Sequence, residues 1–354
     1  MARRKAVAED MTRDDVEKLI NDRFGTGTLR RASDPSLVIE RIPTGILSLD
    51  YLLRGGFPRN RYVELYGNAS VGKTYVALKH IATAQSFGHS CAFVDVERTF
   101  DPEWAASIGV DLDELGYEEQ EVHGNQLVDV METMVRSGAY DVIVMDSVAA
   151  LLPKQEYEAS AQDGTFGTQQ AKLMSYALRK ITAGNRKTVV VFINQVRDNI
   201  GGSVFAKRTI TSGGRALGHY SGVRIEMVKT ENIKKKAKAI DPSKGNLREA
   251  DTVTGHRILA RIEKNKTGGA KPYEQTTFVF DYEQAGIDSI EDLIYLGRVT
   301  NLVHKRGDHW WVDGYQEERQ HGRTRFKKWL KKNRAIADEL REWILNGEEP
   351  EDGD

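Results

Sequence analysis

The feature that most constrains this chain is a glycine-rich stretch at residues 67–74, which fits the pattern G-x-x-x-x-G-K-[ST]. It reads Gly67, Asn68, Ala69, Ser70, Val71, Gly72, Lys73, Thr74. An apolar run at residues 62–66 precedes it, and a helical pattern at 76–84 follows. A strand, a glycine-rich loop and a helix in this order direct backbone N–H groups and a helix N-terminus at a phosphate. Lys73 then reaches the terminal phosphates and Thr74 ligates Mg²⁺, so the sequence predicts a nucleoside triphosphate site.

Composition places the chain among ordinary globular proteins. It has 354 residues, of which 40% are hydrophobic and 29% charged, enough for two or three domains. No apolar run approaches the roughly 20 residues that span a bilayer, and the first residues lack the apolar middle of a secretory signal. Cys91, the single cysteine, lies in an apolar run and predicts a buried core thiol. We therefore expect a cytoplasmic protein without disulfides or a membrane segment.

Charge is unevenly distributed along the chain, although the formal net charge is only −1. Basic runs occur at residues 234–238 and 323–334, and residues 348–354 carry five acids and no base. The separate basic and acidic segments indicate local charged surfaces, which the near-zero net charge does not reveal.

The hydrophobic pattern predicts an α/β fold with a mostly parallel central sheet. Its near-continuous apolar runs are typical of strands buried on both faces, at 61–66, 90–96, 141–146, 188–194 and 223–228. The runs at 256–264 and 276–281 alternate more and predict antiparallel additions at one side. We expect a P-loop core at 45–286, preceded at 1–44 by an amphipathic helix (residues 12–24) and a linker. A small C-terminal α/β module follows at 287–354.

Three segments inside the core are predicted to be irregular. Residues 158–167 and 198–214 are polar and glycine-rich, and we expect both to project from the sheet edge that holds the nucleotide. Residues 232–253 are charged, and we interpret them as a surface insertion.

Polar side chains at the ends of three predicted strands accompany the phosphate loop. Asp146 is the expected second anchor of Mg²⁺. Glu97 either orients the attacking water or is a surface carboxylate, and the residues favour neither. Gln195 either senses the γ-phosphate or only caps its strand.

Beyond these residues, the chain resembles the bacterial RecA recombinase family over nearly its whole length. The resemblance rests on the phosphate loop and on segments in matching order: 44–50, 92–97 with Asp101-Pro102, 141–151, 174–175, 178–180, 192–197, 213–217 and 264–266. It implies a RecA-type core and an ATP-dependent filament on single-stranded DNA that pairs it with a homologous duplex and exchanges strands.

The resemblance also implies roles for individual residues. Glu97 matches the catalytic carboxylate, and Lys73 and Gln195 act with it, Gln195 as the γ-phosphate sensor. Asp101, Trp104 and Tyr282 match adenine neighbours. Lys264 and Lys266 match the pair that reaches ATP on the adjacent subunit. The DNA-binding positions are Phe166, Lys172, Ser175, Arg179, Arg197, Ile200, Gly213, Gly214 and Arg215.

The C-terminal module matches the part of the family that gathers duplex DNA, with the acidic tail competing for it. Single-strand-binding and loading proteins are further candidate partners. The chain departs from the family at Gly218 and His219, where Lys and Phe are usual, and in its longer segment 232–253. Such divergence suits a bacteriophage-borne member. The alternatives are an ATP-binding recombination mediator, a hexameric helicase-like motor and a small-molecule P-loop kinase.

Overall fold

A computed structural model describes residues 11–119, 123–159, 167–198, 209–240 and 247–348. The side chains at 167–168, 197–198, 209–210, 237–240 and 247–250 lie outside this description. The chain divides into two compact units, one ending at Glu40 and the other beginning at Arg41. No helix in the described ranges is long and apolar enough to cross a membrane.

The strands are numbered in chain order. They are β1 (Arg41–Ile42), β2 (Phe57–Pro58), β3 (Tyr62–Gly67), β4 (Cys91–Asp95), β5 (Leu115–Glu118), β6 (Val142–Asp146), β7 (Val189–Asp198), β8 (Thr209–Thr211), β9 (Val223–Ile240), β10 (Leu247–Asn265), β11 (Gln275–Asp281), β12 (Gly286–Ile287), β13 (Val303–Arg306), β14 (His309–Val312) and β15 (Gln320–His321).

The helices are α1 (Arg13–Phe24), α2 (Leu47–Leu52), α3 (Lys73–Ser86), α4 (Pro102–Ile108), α5 (Gly124–Ser137), α6 (Lys154–Tyr157), α7 (Gly167–Gly184), α8 (Arg215–Tyr220), α9 (Ser289–Val299), α10 (Arg323–Lys332) and α11 (Arg334–Asn346). Short 3-10 turns lie at Pro35–Leu37, Val148–Ala150 and Gln316–Glu318.

The central sheet has the strand order β12-β11-β10-β9-β3-β7-β6-β4-β5. The strands from β9 to β5 along this order are parallel, whereas β10, β11 and β12 are antiparallel additions beyond β9. This confirms the predicted α/β class and the predicted antiparallel side. The carboxyl ends of β3, β4, β6 and β7 meet at one edge of the sheet, here called the carboxyl edge; the opposite side is the amino edge.

Helices cover both faces of the parallel strands. Alternate strand residues such as Val63 and Leu65 pack in a cluster with α3, while Tyr62 and Phe192 pack in a second cluster with α5 and α7. The apolar runs in the sequence are nearly continuous because each parallel strand supplies apolar side chains to two cores. Cys91 is fully buried in the first cluster, as predicted, and burial raises the pKa of its thiol to about 12.

The C-terminal module combines the three-stranded antiparallel sheet β13-β14-β15 with α9, α10 and α11. Its apolar cluster includes Phe326, Leu330 and Leu340, and Leu47 of α2 packs against it. The predicted basic helix ends at Lys332, and the following amphipathic helix begins at Arg334. Asp292 of α9 accepts a hydrogen bond from the backbone N–H of Ser48, so the module is joined to the core.

One prediction of irregular structure is wrong, and a second is wrong for the few residues that the structure describes as a strand. Residues 232–253 are largely a hairpin, because β9 and β10 pair from Asn265↔Val223 to Leu247↔Ile240. A run of lysines on a solvated two-stranded ribbon lacks the apolar periodicity that identifies a strand. Of the segment 198–214, residues 199–208 lie outside the described residues, and Thr209–Thr211 form β8, which pairs antiparallel with the end of β7. The interior of segment 158–167 lies outside the described residues.

The N-terminal unit contains the predicted helix, α1, which begins with a capping box. Thr12 and Asp15 exchange side-chain and backbone hydrogen bonds, and Gly25 ends the helix at φ 107°. Leu19 and Phe24 on its apolar face are 51% and 64% exposed. Such a helix needs a partner surface to be stable.

Candidate nucleotide and nucleic-acid sites

The phosphate loop connects β3 to α3 at the carboxyl edge. Gly67 ends the strand, and a Cβ atom there would lie 2.2 Å from the carbonyl oxygen of Met227. Gly72, at φ 96°, precedes the first residue of α3 and adopts the left-handed conformation that favours glycine. The two glycines therefore give the loop its tight path between β9 and α3.

Lys73 lies folded over this loop. Its Nζ donates hydrogen bonds to the carbonyl oxygens of Asn68 at 2.7 Å and Gly67 at 3.2 Å. The side chain is largely buried, and desolvation lowers the pKa of its ammonium. A buried ammonium held by two neutral carbonyls is a strong attractor for an anion.

Thr74 and Asp146 converge beside the loop. The Thr74 hydroxyl donates to Oδ2 of Asp146 at 2.7 Å. Burial, with the nearby carboxylates of Glu97 and Asp95, raises the pKa of Asp146 to about 6. A hydroxyl and a buried carboxylate in contact are a suitable donor set for Mg²⁺ that keeps phosphate and water ligands.

Glu97 lies just beyond β4, and one of its oxygens joins three neighbouring strands. Oε1 accepts a hydrogen bond from Nε2 of Gln195 on β7 at 3.0 Å. The same oxygen accepts the hydroxyl of Ser147, which directly follows β6. The backbone N–H of Glu97 donates to the carbonyl oxygen of Asp146 at 3.1 Å. The structure thus brings Glu97, Gln195 and Asp146 together, as the sequence predicted.

The predicted adenine neighbours flank α3. Asp101 caps α4 by accepting the N–H of Trp104 at 3.0 Å. Trp104 lies 6.4 Å from Tyr75, whose ring contacts Phe280 at 5.0 Å between centroids. Tyr282 is 45% exposed and lies 6.0 Å from Phe280. The aromatic rings therefore form a continuous row beside the phosphate loop.

Lys264 and Lys266 lie at the amino edge, away from the phosphate loop of their own chain. Lys264 pairs in register with Arg224, which is itself opposite Glu64 in the first half of β3. The Nζ of Lys264 donates to the carbonyl oxygens of Gly218 at 2.6 Å and His219 at 2.9 Å. Burial and the neighbouring Lys266 lower the pKa of Lys264 to about 8.

The described DNA-binding candidates lie on α7 and at the start of α8. Lys172, Ser175 and Arg179 follow the i, i+3, i+7 spacing of one helix face, and both cations are exposed. Gly214 lies against this helix, because a Cβ there would meet Ala171 at 2.8 Å. It directly precedes the exposed Arg215. Three candidates are not described: Phe166 and Ile200 fall outside the described ranges, as does the side chain of Arg197.

A buried network behind the site was missed by sequence reasoning. Glu64 is fully buried on β3 and accepts Nε of Arg224 at 2.5 Å and Nδ2 of Asn194 at 3.0 Å. Asn194 also donates to the carbonyl oxygen of Ser212 at 3.0 Å, just after β8. A glutamate in the middle of an apolar strand run is the signal that identifies such a network.

These features define a P-loop nucleoside triphosphatase with a mostly parallel, doubly covered sheet and an antiparallel extension. The family profile described as "RecA N-terminal domain" matches residues 12–288.

Curated relatives agree. Three relatives described as "Protein RecA" come from Herpetosiphon aurantiacus, Symbiobacterium thermophilum and Caldanaerobacter subterraneus, at 40%, 40% and 38% identity. The matches cover 92%, 97% and 91% of this chain and 86%, 92% and 89% of the relatives. The chain belongs to the RecA family. It is a DNA-dependent ATPase with a recombinase function in recombination and repair.

Proposed function

We propose that the chain forms a helical, ATP-dependent filament on single-stranded DNA, pairs that strand with a homologous duplex and exchanges strands. The observation that carries this proposal is the position of two cationic sets on opposite edges of one sheet. Lys73 lies at the carboxyl edge, and Lys264 with Lys266 lies at the amino edge. A second copy is needed to bring both sets to one nucleotide.

Hydrolysis takes place at the carboxyl edge in this proposal. A water attacks the γ-phosphorus in line, the bond to the β–γ bridging oxygen breaks, and Glu97 takes the water proton. Lys73 neutralises charge on the terminal phosphates, and Gln195 contacts the γ-phosphate. Bound Mg²⁺, with Thr74 and Asp146 as its protein ligands, supplies further charge neutralisation.

Support for ATP as the nucleotide comes from the aromatic row beside the loop. The exposed ring of Tyr282 and the half-buried ring of Trp104 provide flat apolar surfaces for a base. Trp104 replaces the Tyr usual in the family and keeps a stacking surface.

The amino edge supplies the other half of the site. Lys264 and Lys266 contact backbone carbonyls of His219 at 2.9 and 3.4 Å. A phosphate on the neighbouring copy offers these ammonium groups a charged partner in place of neutral carbonyls. A head-to-tail contact that does not close into a ring extends repeated copies into an open helix.

Single-stranded DNA is proposed to follow the face of α7 that carries Lys172 and Arg179, together with the start of α8. Cations and backbone N–H groups capture the sugar-phosphate backbone independently of sequence. Phe166 and Ile200 remain predicted wedges between bases, and Arg197 a predicted phosphate contact.

The C-terminal module is proposed to gather duplex DNA. Helix α10 exposes Arg325, Lys328, Lys331 and Lys332, while its Phe326 and Leu330 are buried. Exposed cations on a helix fixed by a small core are suited to a phosphate backbone. Single-strand-binding and loading proteins, as well as a cytoplasmic location, remain part of the proposal.

Electron microscopy with single-stranded DNA and a slowly hydrolysed ATP analogue tests the assembly, with ADP and no nucleotide as controls. We expect helical filaments with the analogue only. Rings instead of filaments would support the helicase-like motor. Equal assembly in all three conditions would remove the role of the γ-phosphate.

A further inference from the structure

The carboxylate of Glu97 is held by side chains from two different strands at a single oxygen. Oε1 accepts both the Ser147 hydroxyl and the Gln195 amide, the latter at 3.0 Å. Ser147 is fully buried, so its hydroxyl is withdrawn from water. Among the residues that the structure describes, no donor is hydrogen-bonded to Oε2 of Glu97. One oxygen is thus fixed, and the other is available to an attacking water.

The backbone around Glu97 is anchored at the same place. The N–H groups of Val96 and Glu97 donate to the carbonyl oxygen of Asp146 at 2.7 and 3.1 Å. Ser147 is the next residue after Asp146, so consecutive residues fix both the main chain and the side chain of Glu97. Thr74 in turn donates to Asp146. The metal-binding carboxylate and the catalytic carboxylate are therefore held as one rigid group.

Gln195 differs from Ser147 because its strand is hydrogen-bonded to Ser212, which directly precedes the predicted DNA contact Gly213. Gln195 lies on β7, and its backbone carbonyl oxygen accepts the backbone N–H of Ser212 at 3.4 Å. The preceding Asn194 donates to the carbonyl oxygen of Ser212 at 3.0 Å. Gln195 and its neighbour Asn194 are thus joined to Ser212, whereas Ser147 lies earlier in the chain and contacts neither of them through Ser212.

We propose that Ser147 is a positioning residue for ATP hydrolysis, which fixes Oε1 of Glu97 so that Oε2 faces the attacking water. Gln195 donates to the same oxygen from the neighbouring strand β7. Ser147 therefore supports hydrolysis both with and without single-stranded DNA. This inference rests on the role given to Glu97 in the proposed function.

The first test is Ser147→Ala, measured as steady-state hydrolysis with and without single-stranded DNA. A hydrogen bond to a charged group contributes about 1.5–3 kcal/mol, which corresponds to a loss in kcat of about tenfold or more. We expect the same loss in both conditions, with the ATP dissociation constant and the melting temperature unchanged. Ser147→Cys, of similar size with a weaker donor, should give an intermediate rate. It replaces the alanine variant if that variant fails to fold.

Thr188→Val provides a matched control, because it removes a buried hydroxyl at the amino edge. Thr188 is buried directly before the start of β7, whereas Gln195 lies in the second half of that strand, and the Thr188 hydroxyl donates to the carbonyl oxygen of Tyr140 at 2.8 Å. We expect wild-type kcat in both conditions for this control.

A double-mutant cycle separates positioning from general destabilisation. Because Ser147 and Gln195 share one acceptor oxygen, the combined loss in Ser147→Ala/Gln195→Ala should be smaller than the product of the single losses. If the combined loss in kcat equals the product of the two single losses, the two side chains do not act through one shared oxygen. A wild-type kcat for Ser147→Ala, or a loss confined to ATP affinity and melting temperature, would overturn the positioning role.

Glu97→Gln distinguishes failure of this inference from failure of the proposed function. If Glu97→Gln is inactive and Ser147→Ala has the wild-type rate, only the inference is wrong. If Glu97→Gln hydrolyses ATP at the wild-type rate, the proposed chemistry is wrong and the inference falls with it.

Discussion

The two edges of the central sheet differ in how their charges are satisfied. At the carboxyl edge, the carboxylates of Asp146 and Glu97 accept side-chain hydrogen bonds beside the ammonium of Lys73, which is held by backbone carbonyls. At the amino edge, Lys264 and Lys266 contact only backbone carbonyls among the described residues. An ammonium without a carboxylate partner is better suited to an anion supplied from outside. The comparison indicates that one edge performs the chemistry and the other completes a neighbour's site.

The sharpest test of the carboxyl edge is Glu97→Gln. Removing a general base costs about 10²–10⁴ in rate, and the amide keeps the shape of the side chain. We expect hydrolysis to fall by this factor while ATP binding and filament assembly persist. Single-turnover hydrolysis and nucleotide binding measured on the same filaments check it. A loss of binding together with rate would mean that Glu97 shapes the pocket instead.

The amino edge is tested by mixing two defective variants. Lys264→Ala keeps its own phosphate loop, and Lys73→Ala keeps its own amino edge. Each alone should hydrolyse ATP about 10²-fold more slowly, because each removes one cation from the developing phosphate charge. In an equal mixture, about a quarter of head-to-tail junctions combine two intact halves.

Mixed filaments should therefore recover a substantial fraction of wild-type hydrolysis. Recovery would require that the two edges act on one nucleotide across subunits. If the mixture is no more active than the average of its components, the lysines act within their own chain and the comparison fails.

Alkaline pH should affect the amino edge selectively. The pKa of Lys264 is lowered to about 8 by burial and by Lys266, so its positive charge is lost as the pH rises through about 8. We expect hydrolysis that depends on filament assembly to decline over that range, because the free subunit must regain this proton before Lys264 can pair with a phosphate. Lys264→Arg serves as the control, since its guanidinium stays charged and the decline should move to higher pH.

The effect on folding has the opposite sign. Between about pH 8 and the ordinary lysine pKa, the unfolded chain holds a proton at Lys264 that the folded chain has lost, so this group favours folding as pH rises. A decline in hydrolysis accompanied by unfolding over the same range would therefore contradict the assignment to Lys264.

The smallest expected effect concerns the link between the module and the core. Helix α2 has no side-chain cap of its own, and Asp292 accepts the N–H of Ser48 in its first turn at 3.0 Å. Asp292→Ala should destabilise the chain by about 1 kcal/mol, as loss of a helix cap does. Urea unfolding at pH 7 measures it.

The pH dependence of this effect has a definite direction. Burial raises the pKa of Asp292 to about 6, so the folded chain binds a proton more readily than the unfolded chain. The stability advantage of the wild type over Asp292→Ala should grow as the pH falls from 7 to 5. An advantage that shrinks over this range would show that the ionised carboxylate is the favoured partner.

Much of the fold was predictable from sequence because parallel strands leave a strong signal. The runs that became β3, β4, β6 and β7 are apolar on both faces. The glycine-rich loop indicates a strand before it and a helix after it. The hairpin of β9 and β10 was not predictable, because its strands are held by backbone pairing and carry polar side chains on a solvated ribbon. Edge strand β5 was missed for a similar reason, since only part of its surface is buried.

The candidate site was also predictable only in part from the sequence. Residue types at strand ends indicated Asp146, Glu97 and Gln195, because carboxyl ends of parallel strands meet at one edge. Nothing in the sequence pattern indicated that Ser147 and Gln195 share one oxygen of Glu97, since Ser147 is an ordinary polar residue after a strand.

The sequence by itself determined that a triphosphate is bound between a strand and a helix, because loop geometry there depends on glycines and one lysine that are local in the chain. Only the tertiary structure decided which distant side chains meet that phosphate and which lie beyond its reach. Glu64 and Arg224 are 160 positions apart and become partners through the neighbouring strands β3 and β9. Pairing between strands sets such contacts, and no spacing along the chain records it.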